Sequence, residues 1–148
     1  MGKEIERKFL IRELPADINE YPCHELEQGY LNTDPVVRVR KEDDKYYLTY
    51  KGKGFLEREE YNLPLNEESY HHLVEKADGH LITKRRYLIP YEHYTIELDV
   101  FEGFLKGRIL AEVEFPSVDE ATAFVAPDWF AEDVTGDPKY SNSNMSKL

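Results

Sequence analysis

The chemistry in this chain is written as charge at alternate positions. Glu4, Glu6 and Lys8 open it. Arg38 and Arg40, Lys51, Arg58 and Glu60, Lys84 and Arg86, Glu97 and Asp99, and Glu112 and Glu114 follow. In a β-strand, alternate side chains share a face, so each set is a row. The opposite faces are largely apolar: Ile5 and Phe9, Val37 and Val39, Leu48 and Tyr50, Ile96, Leu98 and Val100, Ala111, Val113 and Phe115. One such strand alone reads as an ordinary half-solvated strand with its charges in water. The rows together read differently, because their signs are segregated by strand. Same-sign neighbours two residues apart repel unless something of opposite sign lies between them. Basic rows facing a shared lumen suit a polyanion such as a phosphate chain. Acidic rows facing it suit a hard divalent cation held by carboxylate oxygens. The histidines (His24, His71, His72, His80 and His93) have no metal-ligand spacing, and Gly52-Lys53-Gly54 is a hairpin turn, too short for a phosphate loop.

The elements that must position these rows follow from periodicity. Strands are expected around Leu26–Leu31, Val36–Lys41, Tyr46–Lys51, Leu56–Leu63, Leu81–Pro90, Tyr94–Phe101 and Ile109–Phe115, besides the N-terminal one. The connections are short: Asp34-Pro35, Glu42–Lys45, Pro90–His93 and Gly103–Gly107. A helix capped by Asn66 carries Tyr70, Leu73, Val74 and Ala77 at helical spacing, with Gly79 as its C-terminal stop. Ser117-Val118-Asp119-Glu120 fits a capping box for a second helix through Ala121, Phe124 and Val125 to Pro127. Asp128-Trp129-Phe130 reads as a short turn, and the polar tail from Asp137 resists assignment. About eight hairpin-linked antiparallel strands with two inserted helices make an α+β chain built on a closed or nearly closed barrel.

Composition sets the outer limits. The length of 148 residues, 41% hydrophobic and 13% aromatic, predicts one folded domain over 1–148. A single cysteine, Cys23, points to a reducing cytoplasm, and the charged N-terminus does not read as a signal peptide. No apolar run approaches membrane-spanning length. The net charge of −11 speaks against a nucleic-acid partner but not against a small polyanion, since a local basic lumen is independent of net charge. The oligomeric state stays open, a homodimer included.

Glu4-Ile5-Glu6-Arg7-Lys8 resembles the N-terminal Glu-x-Glu-x-Lys signature of the CYTH family, the triphosphate tunnel metalloenzymes. The resemblance continues in order through Gln28-Gly29-Tyr30-Leu31, Val37–Arg40, Leu48–Lys51, Arg58-Glu59-Glu60, Lys84–Tyr87, Glu97–Phe101, Glu112–Phe115 and Tyr140-Ser141-Asn142. It covers nearly the whole chain, at a length similar to that of the compact bacterial members. It implies an eight-stranded antiparallel β-barrel enclosing a tunnel, helices packed outside, and a hydrolase acting on a triphosphate with Mg²⁺ or Mn²⁺. By the same resemblance Glu4, Glu6 and Glu114 are metal ligands with Glu112 and Asp99 close by. Glu60 and Glu97 complete a second cation site or orient basic side chains. Lys8, Arg38, Arg40, Lys51, Arg58, Lys84 and Arg86 contact the triphosphate, and Tyr30 with Lys84 matches a tyrosine–lysine pair near the reacting phosphate. Inorganic triphosphate is the expected substrate. Adenylate cyclase, thiamine triphosphatase, a non-catalytic polyphosphate- or nucleotide-binding module, and a β-domain with its charges outside are the rivals.

Overall fold

The computed structural model describes residues 2–148. Nine strands form one antiparallel sheet: β1 (Lys3–Ile11), β2 (Cys23–Thr33), β3 (Val36–Glu42), β4 (Lys45–Lys51), β5 (Glu57–Leu65), β6 (Asp78–Tyr91), β7 (Tyr94–Phe101), β8 (Ile109–Glu114) and β9 (Phe130–Asp133). The order is β5-β4-β3-β2-β6-β7-β8-β1-β9, and a further β5–β1 pairing closes eight of the strands into a barrel. Closure rests on Lys3, Glu4 and Ile5 lying opposite Glu59, Arg58 and Glu57. It leaves no free edge over that stretch.

Strand β1 is the hinge of this architecture because it serves three partners. One edge pairs β8 from Glu6 to Leu10. The other edge pairs β5 near its start and β9 near its end, with Phe9 opposite Asp133 and Ile11 opposite Phe130. The wall parts where β1 passes from β5 to β9. A cavity of about 600 Å³ sits at this seam, lined by Gly54, Phe55, Thr135 and Gly136 among others. The segment expected to be a turn at Asp128–Phe130 is therefore partly the ninth strand. Asp128 and Trp129 do form the turn, closed by Phe130 N donating to Pro127 O at 3.0 Å, and Phe130 leaves it to start β9 with its ring buried against Phe9, 4.8 Å between centroids.

The main hydrophobic core lies outside the barrel wall. Phe9, Ile96, Leu98, Ala111, Val113 and Phe115 point outward and are covered by Ala121 and Phe124, from the segment after β8, and by Phe130. Helix α2 (Val118–Ala123) begins at Ser117, whose Oγ accepts from Glu120 N at 3.1 Å. The reciprocal half of the expected capping box is absent, because the Glu120 carboxylate instead accepts from Tyr94 Oη at 2.7 Å. The helix also stops at Ala123, with Phe124 already extended, short of the expected Pro127. Arg7 ties the cover down: its Nη1 donates to the carbonyls of Ala121 and Phe124, and its Nε and Nη2 grip Asp133.

Helix α1 (Glu67–Val74) covers β2, β3 and β4. Asn66 caps it, its Oδ1 accepting from Ser69 N at 2.7 Å. Tyr70 is fully buried beneath it and donates to Glu27 Oε1 at 2.8 Å. At Gly29 of β2 a Cβ would come 2.7 Å from that of Ala77, so glycine admits the chain leaving α1. Gly79 is not the helix stop. It lies inside β6 with φ +68°, and a Cβ there would meet Ser146 O at 2.4 Å. Its role is to let the C-terminal segment close in, with His80 N donating to Ser146 O at 2.7 Å.

That segment is a short 3-10 turn at Pro138–Tyr140 followed by helix α3 (Asn142–Met145). It straps across one end of the barrel. Fully buried Met145 packs with Tyr30, Ile82, Phe101 and Leu110, an apolar plug that fills the lumen at that end.

Candidate active site

Inside the wall, beyond the plug, the charged rows face one another around a lumen of about 220 Å³. Pleating dictates this: with the apolar partners on the outer face, Glu4, Glu6 and Lys8 must point in, and so must every other row. Lys8, Tyr30, Arg38, Arg40, Lys51, Arg58, Glu60, Lys84, Arg86, Glu97, Glu112 and Glu114 all line the lumen with Glu4 and Glu6. The seam cavity shares Glu6, Lys8 and Arg58 with it. At the other side a cavity of about 360 Å³ beside His93 and Tyr94 shares Glu97 and Glu114. Cavities thus adjoin the lumen on two sides.

The acidic half centres on Glu4, Glu6 and Glu114, which can each offer an oxygen within 4.8 Å of the others. Register explains the meeting: Glu6 lies directly opposite Glu114 across β1 and β8. Burial and the facing carboxylates of Glu112 and Glu4 push the Glu6 pKa well above the ordinary range. Glu114, exposed at the edge of the lumen, is pushed up to about 7 by partial desolvation and by Glu97, Glu4 and Glu60. Carboxyls crowded until they resist ionising are a donor set short of a cation, and all-oxygen donors suit a hard divalent ion. The trio therefore fits a metal ion. Glu4 is the ionised member: burial opposes its charge, but Lys51 Nζ at 3.0 Å from both oxygens outweighs it. Arg58 Nε stands 3.4 Å from Glu4, and Glu60 joins through Lys51 at 3.4 Å.

The basic half is organised by Asp99. Arg86, opposite it across β6 and β7, donates Nε and Nη2 to its two oxygens at 2.8 and 2.9 Å. Lys84 Nζ lies 2.7 Å from Asp99 Oδ2. The structure thus places Asp99 among cations rather than with the acidic trio, where it orients Lys84 and Arg86. Glu97 and Glu112 sit between the halves, each with an oxygen 3.5 Å from Arg86. Glu112 is held well below the ordinary range, since Lys8, Arg86 and Lys84 overcome the burial that opposes its charge. Lys84 is 1% exposed, and that burial lowers its pKa to about 7 despite Asp99. Arg40 is lowered to about 9 by burial and then by the neighbouring Arg38 and Arg86. Arg38 Nη2 donates to Thr49 Oγ1 at a long 3.3 Å, and its buried Nε has no partner among the described residues. An unpartnered guanidinium nitrogen on Arg38, with Arg40 and Arg86 crowded beside it, forms a cradle for an anion.

Residue periodicity missed two contributors. Gln28 is fully buried and bridges Arg40 and Tyr30. The alternation Leu26, Gln28, Tyr30 places it on the inward face, which was a readable signal. The other is the C-terminal strap. Asn142 Oδ1 accepts from Lys84 Nζ at 3.1 Å, and the Tyr140 carbonyl accepts from Lys8 Nζ at 3.0 Å.

A closed antiparallel barrel lined with segregated charge, acidic at one side and basic at the other, defines a triphosphate-tunnel type of site. The family model of the CYTH domain matches residues 2–144, and the chain belongs to that family. It is 39% identical to an inorganic triphosphatase of Nitrosomonas europaea, covering 97% of this chain and 96% of the relative. It is 42% identical to an inorganic triphosphatase of Acetivibrio thermocellus, covering 99% and 95%. The crystal structure of the inorganic triphosphatase NE1496 superposes with a TM-score of 0.73 at 36% identity, over 100% of this chain and 97% of that one.

Proposed function

We propose that the chain is a metal-dependent inorganic triphosphatase, converting triphosphate and water to pyrophosphate and phosphate, with Mg²⁺ or Mn²⁺ as the metal. The observation that carries this is the split lumen: the buried Arg38 guanidinium, with an unpartnered Nε, shares it with a carboxylate trio in which Glu6 and Glu114 resist ionising. Two relatives about 40% identical over nearly their whole length carry the name inorganic triphosphatase. We read residues 1–148 as one cytoplasmic domain acting on a small anion rather than on nucleic acid or a membrane.

In this reading Glu4, Glu6 and Glu114 hold the metal. When bound, it would neutralise charge on phosphate oxygens and make a coordinated water more acidic. Arg38, Arg40, Lys51, Arg58, Arg86 and Lys8 clamp the phosphate chain, so its orientation and charge neutralisation are settled before reaction. Asp99 and Glu4 hold the basic side chains in place: Asp99 grips Arg86 and Lys84, and Glu4 grips Lys51. Tyr30 and Lys84 stand beside the reacting phosphate, where a hydroxyl and a buried ammonium spread the developing negative charge. Glu60, Glu97 and Glu112 tune the protonation of their neighbours and keep the cations apart.

The test is phosphate release from inorganic triphosphate, ATP and thiamine triphosphate side by side, with Mg²⁺ or Mn²⁺, while cyclic AMP is monitored. Inorganic triphosphate is expected to be turned over fastest, chelator to stop it, and Glu6→Gln to abolish it while the thermal midpoint is retained. Faster turnover of either organic triphosphate, or unchanged turnover in Glu6→Gln, refutes the assignment.

A further inference from the structure

Gln28 is a carboxamide with 0% exposure in a lumen of charges. Its Oε1 accepts from Arg40 Nε at 2.8 Å, and its Nε2 donates to Tyr30 Oη at 3.0 Å and to Asn142 Oδ1 at 3.4 Å. The two ends of a carboxamide look alike in shape, but here chemistry distinguishes them. A guanidinium can only donate, so the atom facing Arg40 is the oxygen. The nitrogen then faces Tyr30, and an amide nitrogen only donates. Tyr30 Oη must therefore accept from Gln28, and its own hydrogen points away. Asn142 is oriented by the same logic, because Lys84 Nζ and Gln28 Nε2 both donate to its oxygen.

We propose that Gln28 is a positioning residue that sets the polarity of the Tyr30 hydroxyl, so that it donates its hydrogen bond into the lumen toward a triphosphate oxygen. Arg40 enforces the arrangement through the Gln28 oxygen. The proposal rests on the reading above that Tyr30 faces the reacting phosphate. A hydroxyl free to rotate could turn a lone pair toward the phosphate, and repulsion would replace stabilisation. Held this way, it needs no reorientation as charge develops.

The experiment compares Gln28→Glu, Tyr30→Phe and the double variant by steady-state kinetics on inorganic triphosphate. Glutamate keeps the shape and the acceptor for Arg40 but offers Tyr30 an acceptor instead of a donor, which turns the hydroxyl around. Gln28→Glu and Tyr30→Phe are each expected to lower kcat by a similar factor, on the order of 100-fold. The double variant is expected to be no slower than Tyr30→Phe alone. A purely structural glutamine would instead multiply its loss onto that of Tyr30→Phe. The proposal is overturned if Gln28→Glu keeps the wild-type kcat while Tyr30→Phe is impaired, or if the two losses multiply. A wild-type kcat in Tyr30→Phe removes the role of Tyr30 itself and the proposal with it. If Gln28→Glu does not fold, Gln28→Met, which offers no donor and only a weak sulfur acceptor, takes its place. It is expected to lower kcat less, and the loss should vanish in the Tyr30→Phe background; a loss that persists there overturns the proposal.

Discussion

Replacing Arg38 by methionine should stabilise the protein and cripple its substrate binding at once. The side chain is buried, its Nε lacks a partner among the described residues, and its hydrogen bond to Thr49 is 3.3 Å long. A buried donor left unsatisfied costs about 1–3 kcal/mol, while a long neutral-acceptor bond returns about 0.5–1.5 kcal/mol. Methionine fills similar space, abolishes the orphan and relieves Arg40, whose pKa is lowered in part by Arg38. The net expectation is a gain of about 1 kcal/mol, or roughly 2–4 °C in Tm for a chain of this size. Binding moves the other way. Loss of a charge-assisted contact to phosphate is worth about 1.5–3 kcal/mol, so KM should rise roughly 10- to 150-fold. Thermal melts in chelator, with and without inorganic triphosphate, read both effects without turnover. At about 100 times its Kd the ligand stabilises the wild type by about 2.7 kcal/mol, whereas a variant binding 100-fold more weakly gains only about 0.4 kcal/mol. The order of the two midpoints should therefore invert when ligand is added. A variant less stable than wild type in its absence, or equal shifts in its presence, refutes the account of Arg38 as a strained anion receptor.

Two further outcomes concern the cover and the strap. The Asp133 pKa is lowered because hydrogen bonds from Thr135 and Arg7 overcome the burial that would raise it. Its carboxyl is thus more acidic folded than unfolded, and its contribution is complete above the ordinary Asp range and lost as pH falls through the lower folded value. Asp133→Asn should cost about 0.5–1 kcal/mol at neutral pH in urea unfolding, with the difference from wild type vanishing once pH falls through the lowered folded value; a difference independent of pH would disprove the link. Gly79→Ala should lose about 1–2 kcal/mol from its left-handed backbone alone, and the approach of Ser146 O to 2.4 Å of the new Cβ should dislodge the strap. Hydrogen exchange at the His80 amide, which donates to Ser146 O, should accelerate; unchanged protection would show that the strap does not depend on this glycine.

Much of the architecture was legible because two periodicities coincide in each strand. Val37 and Val39 against Arg38 and Arg40, or Ile96 and Leu98 against Glu97 and Asp99, name both faces, and the segregated signs name the inner one. What alternation cannot convey is register. Asp99 reads as one more acid of its row, yet it lies opposite Arg86 and serves the basic half. Glu6 meets Glu114 only because β1 and β8 pair at that offset. Gly79 reads as a helix stop because its purpose, the approach of Ser146, depends on residues far along the chain. The strap itself was opaque because it docks partly through backbone carbonyls, those of Tyr140 and Ser146, which no side-chain pattern marks. The ninth strand was hidden for a related reason, since its pairing depends on an edge of β1 that β5 leaves open.

The wall of this barrel is glued from its outer side. Phe9, Leu98, Val113 and Phe124 cohere in the shell, whereas the ionic rows hang inward from the same strands. Substitutions in the lumen therefore leave the principal packing untouched and alter chiefly which charges confront each other. Beyond the apolar plug around Met145, adhesion and recognition are assigned to opposite faces of one pleated surface. Such an arrangement lets a lineage exchange what the tunnel receives, row by row, without having to invent a new interior each time.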